Sequence, residues 1–338
     1  MLSLANKYRP KEFNEVLAQK SIIKILEKQI NTQNFSNVYL FCGPTGTGKT
    51  SLARIFADKI NKGKGSPIEI DGASNNGVDN VRMLVESAKE RSLDSEYKIF
   101  IVDECHSITS QGWQSFLKCL EETPKYTIFI FCTTNPEKVP STIQNRALKF
   151  NLTKIKIEDI IKKLSYICEQ EKYVNYDAGI EYIAKLSGGG VRDAIVALEK
   201  CALFSTDLSI INVLECLGTF TYDEFFKLTN AFIDGKETTV LNTIEKFYSE
   251  GKDLKQFIDQ YLDFILDLVK YCLFKDIKNT RIPVIMEDSI KYTTGIENNI
   301  RYFTWLTDKI LNIKLTIKHD TNYKTTVEAL CLAICRGM

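Results

Sequence analysis

The chain has 338 residues, of which 44% are hydrophobic and 26% charged, as expected of a globular protein with two or three domains. Its 44 basic and 43 acidic side chains leave a net charge of +1, so any nucleic-acid contact must come from a local patch. No apolar run approaches the roughly 18 residues that cross a bilayer, and the N-terminus lacks the apolar segment of a signal peptide. We therefore expect a cytoplasmic protein without membrane contact.

The ten cysteines predict neither a disulfide framework nor a zinc site. They are scattered, mostly within apolar segments, and the chain has only two histidines. Cys331 and Cys335 are close, four residues apart on a predicted helix, but no C-x-x-C pair occurs. Buried free thiols are the expected state.

Strand and helix patterns alternate over the first 150 residues, which predicts a parallel sheet covered by helices on both faces. The predicted strands are Val38–Cys42, Pro67–Ile70, Lys98–Val102, Thr127–Cys132 and Ala147–Phe150. The predicted helices between them are Ser21–Gln33, Ser51–Asn61, Val78–Glu90, Gln111–Glu122 and Pro140–Asn145.

Residues 43–50 have the sequence Gly-Pro-Thr-Gly-Thr-Gly-Lys-Thr and fit the pattern G-x-x-x-x-G-K-[ST] at every fixed position. The segment lies between a predicted buried strand and a predicted helix, where backbone N–H groups and a helix N-terminus converge on phosphate oxygens. Lys49 would supply a charge to the outer phosphates, and the Thr50 hydroxyl a ligand for Mg²⁺. The alternative is a glycine turn that matches the pattern by chance. The predicted strand before the segment and the predicted helix after it argue against this alternative. The sequence predicts a nucleoside triphosphate site.

Two carboxylates, Asp103 and Glu104, follow the predicted strand Lys98–Val102. We expect this strand beside the phosphate loop, so that Asp103 reaches the Mg²⁺ shell and Glu104 polarises the attacking water. Strands often end in solvated acids. Only the pairing with the phosphate loop makes this pattern specific.

The predicted strand Thr127–Cys132 also ends in polar residues. Its end is expected between the γ-phosphate and the two carboxylates, where a hydroxyl or amide can hold the attacking water. Thr134 is the first candidate and Asn135 the second. A strand that simply runs into a turn at Asn135-Pro136 remains the alternative.

Two arginines complete the predicted constellation. Arg192 follows three glycines at the start of a helix and could fold over the nucleotide. Arg146 lies at a helix-to-strand corner, from which it could reach a neighbouring subunit's nucleotide, where such an arginine is worth about 10³–10⁵ in rate. On spacing alone, surface or salt-bridge roles remain open for both.

Strand patterns stop after Asn151. The helices predicted next are Lys156–Lys172, Tyr176–Ser187 and Val191–Leu203, which form a small domain. From Thr219 onward, longer amphipathic helices predict a bundle that could serve as an oligomerisation surface, with Lys275–Glu297 as a loop. The predicted domains are 1–152, 153–218 and 219–338.

This combination resembles the ATPase subunits of sliding-clamp loaders in the AAA+ superfamily, and most of all the bacterial DNA polymerase III gamma/tau subunits. Residues 4–19, 69–79, 103–106, 117–124 and 133–138 carry the resemblance. It implies an α/β P-loop NTPase (AAA+) core, a small three-helix lid domain and an all-α C-terminal collar domain.

The resemblance also implies roles for individual residues. It implies catalytic roles for Glu104, for Thr134 and Arg192 as the first and second sensors, and for Arg146 as a finger that completes a neighbour's site. Thr50 and Asp103 would bind the metal, and Asn76, Arg82 and Thr142 would follow the DNA phosphate backbone. The residues expected to hold the nucleotide are Ala5, Tyr8, Arg9, Pro10, Val16, Leu17, Gly43, Thr45, Gly46, Gly48, Lys49, Thr50 and Ser51.

Cofactors and partners follow from the same resemblance. ATP and Mg²⁺ are expected, but no zinc, because the interval Asn61–Pro67 lacks the four-cysteine module usual in this family. The expected partners are a sliding clamp, primer–template DNA and related subunits in a pentameric ring of a bacterial or viral replisome. The chain would be a minimal form without the longer tau extension, and Asn145 and Ala147 replace the usual neighbours of the finger arginine.

Three functions are alternatives to that of a clamp-loader motor subunit. A non-hydrolysing scaffold subunit usually loses the loop lysine or the glutamate, and this chain keeps Lys49 and Glu104. Another AAA+ machine, such as a branch-migration motor or a helicase loader, is disfavoured by the Glu69–Asp79 and Leu117–Pro124 segments. Polymerase activity could be credited to the chain only through a holoenzyme.

Overall fold

Five short runs in the first half of the chain form one parallel sheet in the computed structural model, which describes residues 3–217, 220–282, 286–295, 299–318, 320 and 322–337. The strands are β1 (Val38–Cys42), β2 (Ile68–Asp71), β3 (Lys98–Asp103), β4 (Thr127–Thr133) and β5 (Leu148–Asn151). Each predicted strand is confirmed to within about one residue at either end.

Helices connect the strands and form most of the described residues that follow the sheet. In the described residues they are α1 (Leu4–Lys7), α2 (Lys20–Thr32), α3 (Lys49–Ile60), α4 (Val78–Ala88), α5 (Ser110–Glu121), α6 (Ser141–Gln144), α7 (Ile157–Glu171), α8 (Asp177–Leu186), α9 (Val191–Phe204), α10 (Ile210–Leu217), α11 (Tyr222–Ile233), α12 (Glu237–Ser249), α13 (Leu254–Phe274), α14 (Glu287–Thr294), α15 (Asn299–Ile317) and α16 (Tyr323–Cys335). None of the described helices is long and apolar enough to cross a bilayer.

The strand order is β2-β3-β4-β1-β5, with all pairs parallel. β4 therefore lies between β1, which leads into the phosphate loop, and β3, which carries Asp103. The end of β3 nevertheless reaches the phosphate loop, as expected, because Asp103 accepts a hydrogen bond from Thr50. The carboxyl ends of β1, β3 and β4 still meet at one edge of the sheet, where ligands bind in open α/β folds.

Alternate residues of β1 supply two separate cores. Tyr39 and Phe41 are fully buried in one hydrophobic cluster, against side chains of α2 and α3. Leu40 lies in the other cluster with Phe100, Phe131 and side chains of α4 and α5. A strand buried on both faces requires the unbroken apolar sequence that predicted it.

The chain divides into two compact units. The first comprises the residues up to Lys172 together with Ile183–Glu199, and contains the whole sheet. The second comprises Tyr173–Tyr182 and the residues from Lys200 onward. The domain boundaries 1–152, 153–218 and 219–338 stay predictions.

The second unit has an aromatic core. Phe225, Phe257 and Tyr261 pack ring against ring at centroid distances of 5.5 to 6.1 Å, and the buried Tyr261 hydroxyl shares a 2.7 Å hydrogen bond with Thr229. Such pairs add to the free energy of simple burial.

Two details of the helical half differ from expectation. The segment Lys275–Glu297, predicted as a loop, contains α14, and α10 is a fourth helix where residues 153–218 were expected to hold three. Both helices are only 8 residues long and bury two or three side chains each, which is too few for a recognisable helical period.

Candidate nucleotide-binding site

The phosphate loop between β1 and α3 depends on glycine backbone conformations. Gly46 and Gly48 have φ angles of 73° and 94°, in the left-handed region that disfavours side chains. Lys49 begins α3 and is 6% exposed, and its ammonium group donates 2.9 Å hydrogen bonds to the carbonyl oxygens of Gly43 and Pro44. The loop therefore holds a buried positive charge at the N-terminus of a helix, which suits an anion.

The hydroxyl group of Thr50 donates a 2.7 Å hydrogen bond to Oδ2 of Asp103. One residue comes from the first turn of α3 and the other from the end of β3, so two oxygen ligands converge although 53 residues separate them. Hydroxyl and carboxylate oxygens are ligands that Mg²⁺ accepts, and this donor set fits that ion.

Glu104 has a left-handed backbone, with φ 45° and ψ 40°. It leaves β3 and begins a 3-10 turn over Cys105–Ser107, closed by a 3.0 Å hydrogen bond from Ser107 N–H to the Glu104 carbonyl. Gly72 leaves room for this turn, since a Cβ atom there would lie 2.8 Å from the Asp103 carbonyl oxygen. The turn brings the Glu104 side chain into the same pocket as the phosphate loop.

Thr134 follows β4 and lies next to the Glu104 carboxylate. Its hydroxyl is 3.4 Å from Glu104 Oε2, a long hydrogen bond, and it does not line the pocket. The second candidate, Asn135, uses its backbone N–H to donate to the Thr133 hydroxyl at 3.0 Å. The Thr134 hydroxyl is thus close enough to act on the Glu104 carboxylate or on a group bound beside it.

Two fully buried cysteines, Cys105 and Cys132, lie near these polar groups. Burial raises the pKa of Cys105 and of Cys132 well above the usual value for a thiol, and nearby acidic groups add to the effect. Both side chains therefore remain neutral thiols, as the sequence analysis expected of buried cysteines.

One pocket brings together most of the residues expected to hold the nucleotide. Gly43 is the exception, because it does not line the pocket and acts through its carbonyl contact with Lys49. The expected residues that line it are Ala5, Tyr8, Arg9, Pro10, Val16, Leu17, Thr45, Gly46, Gly48, Lys49, Thr50, Ser51, Asp103, Glu104 and Arg192. Further lining residues that the sequence did not single out are Glu15, Thr47, Ile155, Lys163, Val191 and Ile195.

The N-terminal segment is tied to α7. Glu171 accepts a 2.7 Å hydrogen bond from Lys7 and a short one from the Tyr8 hydroxyl, and these contacts lower the pKa of Glu171 below its ordinary value. Lys163, about two turns before Glu171 on α7 and at the pocket wall, lies over the rings of Tyr8 and Tyr166. Burial lowers the pKa of Lys163.

The start of α9 touches the phosphate loop through backbone atoms. The N–H of Val191 donates a 3.1 Å hydrogen bond to the Gly46 carbonyl. A Cβ atom on Gly46 would lie 2.8 Å from the Cα atom of Gly190. Arg192 is the next residue in the chain and lines the pocket. The helix that carries this arginine is therefore in direct contact with the phosphate loop.

Arg146 lies away from the pocket. Its guanidinium group forms a 2.9 Å salt bridge with Glu121, and the two side chains are 41% and 52% exposed. The candidate DNA residues are also outside the pocket: Asn76 and Thr142 are exposed, and the exposed Arg82 contacts Asp79 at 3.4 Å. The structure therefore does not bring these four residues to the nucleotide site of their own chain.

The fold is shared with a protein of known structure. The branch-migration motor RuvB of Thermotoga maritima superposes on 73% of this chain and 86% of its own, with a TM-score of 0.52 and 19% sequence identity. Together with the parallel sheet and the phosphate loop, this likeness defines the chain as a P-loop protein of the AAA+ fold class.

Sequence comparisons narrow the class to a family. A model described as DNA polymerase III, delta subunit, matches residues 61–156, and one described as DNA polymerase III subunits gamma and tau domain III matches residues 208–294. The tau subunit of Bacillus subtilis is 34% identical over 78% of this chain and 51% of its own length. The gamma/tau subunit of Mycoplasma genitalium is 34% identical over 80% and 49%.

The chain is therefore a relative of the DNA polymerase III gamma and tau subunits, and the resemblance noted in its sequence is confirmed. It spans about half the length of these curated relatives. No group of three or more His, Cys, Asp or Glu side chains in the described part of the chain could hold a metal ion. The expected lack of zinc stays a prediction.

Proposed function

We propose that this chain hydrolyses ATP as the motor subunit of a sliding-clamp loader. The observation that carries the proposal is one pocket that contains the phosphate loop with Lys49, the oxygen pair of Thr50 and Asp103, and the carboxylate of Glu104. A scaffold subunit needs only to bind nucleotide. A carboxylate at this place is the group that hydrolysis requires.

In the proposed mechanism, Lys49 and the N-terminus of α3 bind the outer phosphates. Two of the three ammonium donors of Lys49 are used within the loop, which fixes the direction of the third. Thr50 and Asp103 would hold Mg²⁺, which when bound would neutralise charge on the phosphate oxygens. Glu104 accepts the proton of the attacking water, and the Thr134 hydroxyl beside it orients that water or the carboxylate.

Arg192 and Arg146 have different places in the proposal. Arg192 stabilises the phosphate charge within its own pocket. Arg146 lies outside that pocket and serves a neighbouring subunit's site. Its exposed salt bridge with Glu121 is a weak interaction of about 0–1 kcal/mol, so the side chain can be released to a partner at low cost.

We propose that the chain works in an assembly with DNA and further subunits. Asn76, Arg82 and Thr142 contact DNA phosphates, which makes binding independent of sequence and sensitive to salt. Residues 1–152 form the ATPase domain, 153–218 the lid and 219–338 the collar of a pentameric ring that loads a clamp on primer–template DNA. Such a ring works in the replisome, in the cytoplasm. Different affinities of the ATP and ADP states for clamp and DNA would drive the cycle.

Steady-state ATP hydrolysis, measured alone, with primed DNA, with the cognate clamp and with both, tests the proposal. We expect the largest rate with both present. Hydrolysis indifferent to the clamp would exclude clamp loading while leaving another AAA+ DNA-processing activity. Glu104→Gln is the matched control: it keeps the shape of the side chain and should bind ATP normally, while turnover falls by about 10²–10⁴. Nucleotide binding without turnover in the unsubstituted protein would indicate a scaffold subunit.

A further inference from the structure

His106 lies close to residues at the carboxyl ends of two strands, β3 and β4. It lies in the 3-10 turn after β3, and its side chain is 16% exposed. Its Nδ1 atom is 3.2 Å from Oε2 of Glu104 and 3.2 Å from Oγ1 of Thr133, the last residue of β4. The sequence includes His106 in a recognisable segment but gives it no role.

The chemistry of these neighbours decides which ring nitrogen carries hydrogen. An ionised carboxylate accepts hydrogen bonds and cannot donate one, so the 3.2 Å approach to Glu104 is attractive only when Nδ1 carries hydrogen. Thr133 Oγ1 already accepts from the Asn135 N–H at 3.0 Å, and its own hydrogen can point to the Cys105 thiol, which is within hydrogen-bonding reach. Hydrogen on Nδ1 is therefore compatible with every one of these contacts.

We propose that His106 is a positioning residue that holds Oε2 of Glu104 through its Nδ1–H group, so that Oε1 faces the attacking water. This inference rests on the proposed hydrolysis by Glu104. The Glu104 side chain is 38% exposed, and the hydrogen bond that its carboxylate accepts from Thr134 is long at 3.4 Å. A glutamate side chain has several rotatable bonds, and a displacement of about 1 Å at a reacting group can lower a rate about 10²-fold.

Three substitutions of His106 test this role through kcat, KM and the dissociation constant of a fluorescent ATP analogue. His106→Ala should lower kcat by about 10- to 100-fold with nucleotide affinity changed less than about twofold. His106→Asn places an amide N–H where Nδ1 was and should restore most of kcat. His106→Gln places its amide near the Nε2 position and should not. Full turnover in the alanine variant, or equal behaviour of the asparagine and glutamine variants, would overturn the proposal.

A measurement on the unsubstituted protein is independent of turnover. With ¹⁵N-labelled histidine, the two histidines give two sets of ring signals, and His106→Asn identifies which set belongs to His106. We expect hydrogen on Nδ1 of His106, whereas a bare Nδ1 with hydrogen on Nε2 only would contradict the proposal. If the protein shows Nδ1–H but no ATP hydrolysis, the proposed function fails and the contact with Glu104 stands without a catalytic role.

Discussion

Glu171 links the two walls of the nucleotide pocket. It accepts hydrogen bonds from Lys7 and Tyr8 in the N-terminal segment, and Tyr8 lines the pocket next to Lys163. These contacts stabilise the charged carboxylate, because an ammonium and a phenol hydroxyl both donate to it. The N-terminal segment that lines the pocket therefore depends on an acid at the end of α7.

A pH dependence follows from this link. The pKa of Glu171 is lowered in the folded state, first by the hydrogen bond from Lys7 and then by that from Tyr8, relative to an ordinary value of 4.5. Since the unfolded chain takes up the proton first as the pH falls, the contribution is complete above that value and is lost as the pH falls through the folded pKa. Glu171→Gln should remove this part of the acid dependence of unfolding and weaken ATP binding several-fold at neutral pH.

Unfolding midpoints and nucleotide affinity between pH 3 and 7, in the unsubstituted and Glu171→Gln proteins, check this prediction. Glu169→Gln, an exposed change on the same helix, is the control. Equal acid sensitivity of the Glu171 and Glu169 variants would show that the link contributes nothing.

At the scale of elements, the phosphate loop and α9 meet mainly through backbone atoms. The Val191 N–H contacts the Gly46 carbonyl, and Gly46 and Gly190 leave no room between them for a Cβ atom. A displacement of the loop by bound phosphate would therefore pass directly to the helix that carries Arg192, because two backbones in contact cannot absorb it by rotating side chains.

Gly46→Ala tests this contact. Its Cβ atom would lie 2.8 Å from Gly190 Cα, and alanine would also occupy a φ of 73°. Strain and overpacking of about 1–3 kcal/mol each predict a loss of nucleotide affinity of about tenfold or more. Gly77→Ala is a matched control, since that position has φ −74° and open space. Isothermal titration calorimetry of both variants measures their affinity for nucleotide. Normal affinity of Gly46→Ala would show that the loop and α9 can separate freely.

Sequence patterns predicted the parts of the molecule that depend on local rules. The three central strands, β1, β3 and β4, are nearly continuous apolar runs, and the glycines and Lys49 of the loop follow from the geometry of phosphate binding. The strand order could not be obtained this way, because nothing in β3 or β4 alone says which of them pairs with β1. The sequence did not indicate that Lys163 and Glu15 line the pocket. Neither residue belongs to a local motif, and both reach the pocket only because the fold brings distant segments together.

For the whole molecule, the position of Arg146 raises the question of whether a single chain is a complete enzyme. Arg146 does not line the pocket of its own chain, and its partner Glu121 is an exposed residue of the same first unit. If Arg146 completes a neighbour's site, Arg146→Ala should abolish turnover while ATP binding stays nearly unchanged. Loss of binding would instead assign the arginine to its own site or to the fold.

Mixed oligomers separate these cases further. Arg146→Ala subunits keep Glu104, and Glu104→Gln subunits keep Arg146, so each type is expected to be inactive alone. After mixing in equal amounts, roughly a quarter of the interfaces in a head-to-tail ring combine an intact glutamate with an intact arginine. Turnover should reappear on mixing, and mixtures that stay inactive would contradict a shared site.

The left-handed backbone of Glu104 places stability and activity in conflict at one position. A side chain other than glycine or asparagine is held in this conformation at a cost of about 1 kcal/mol or more. Asparagine at position 104 would suit the backbone better and would lack the carboxylate. A search for more stable variants of this protein would therefore be drawn to position 104, and the variants it selected there would be the ones that no longer turn over.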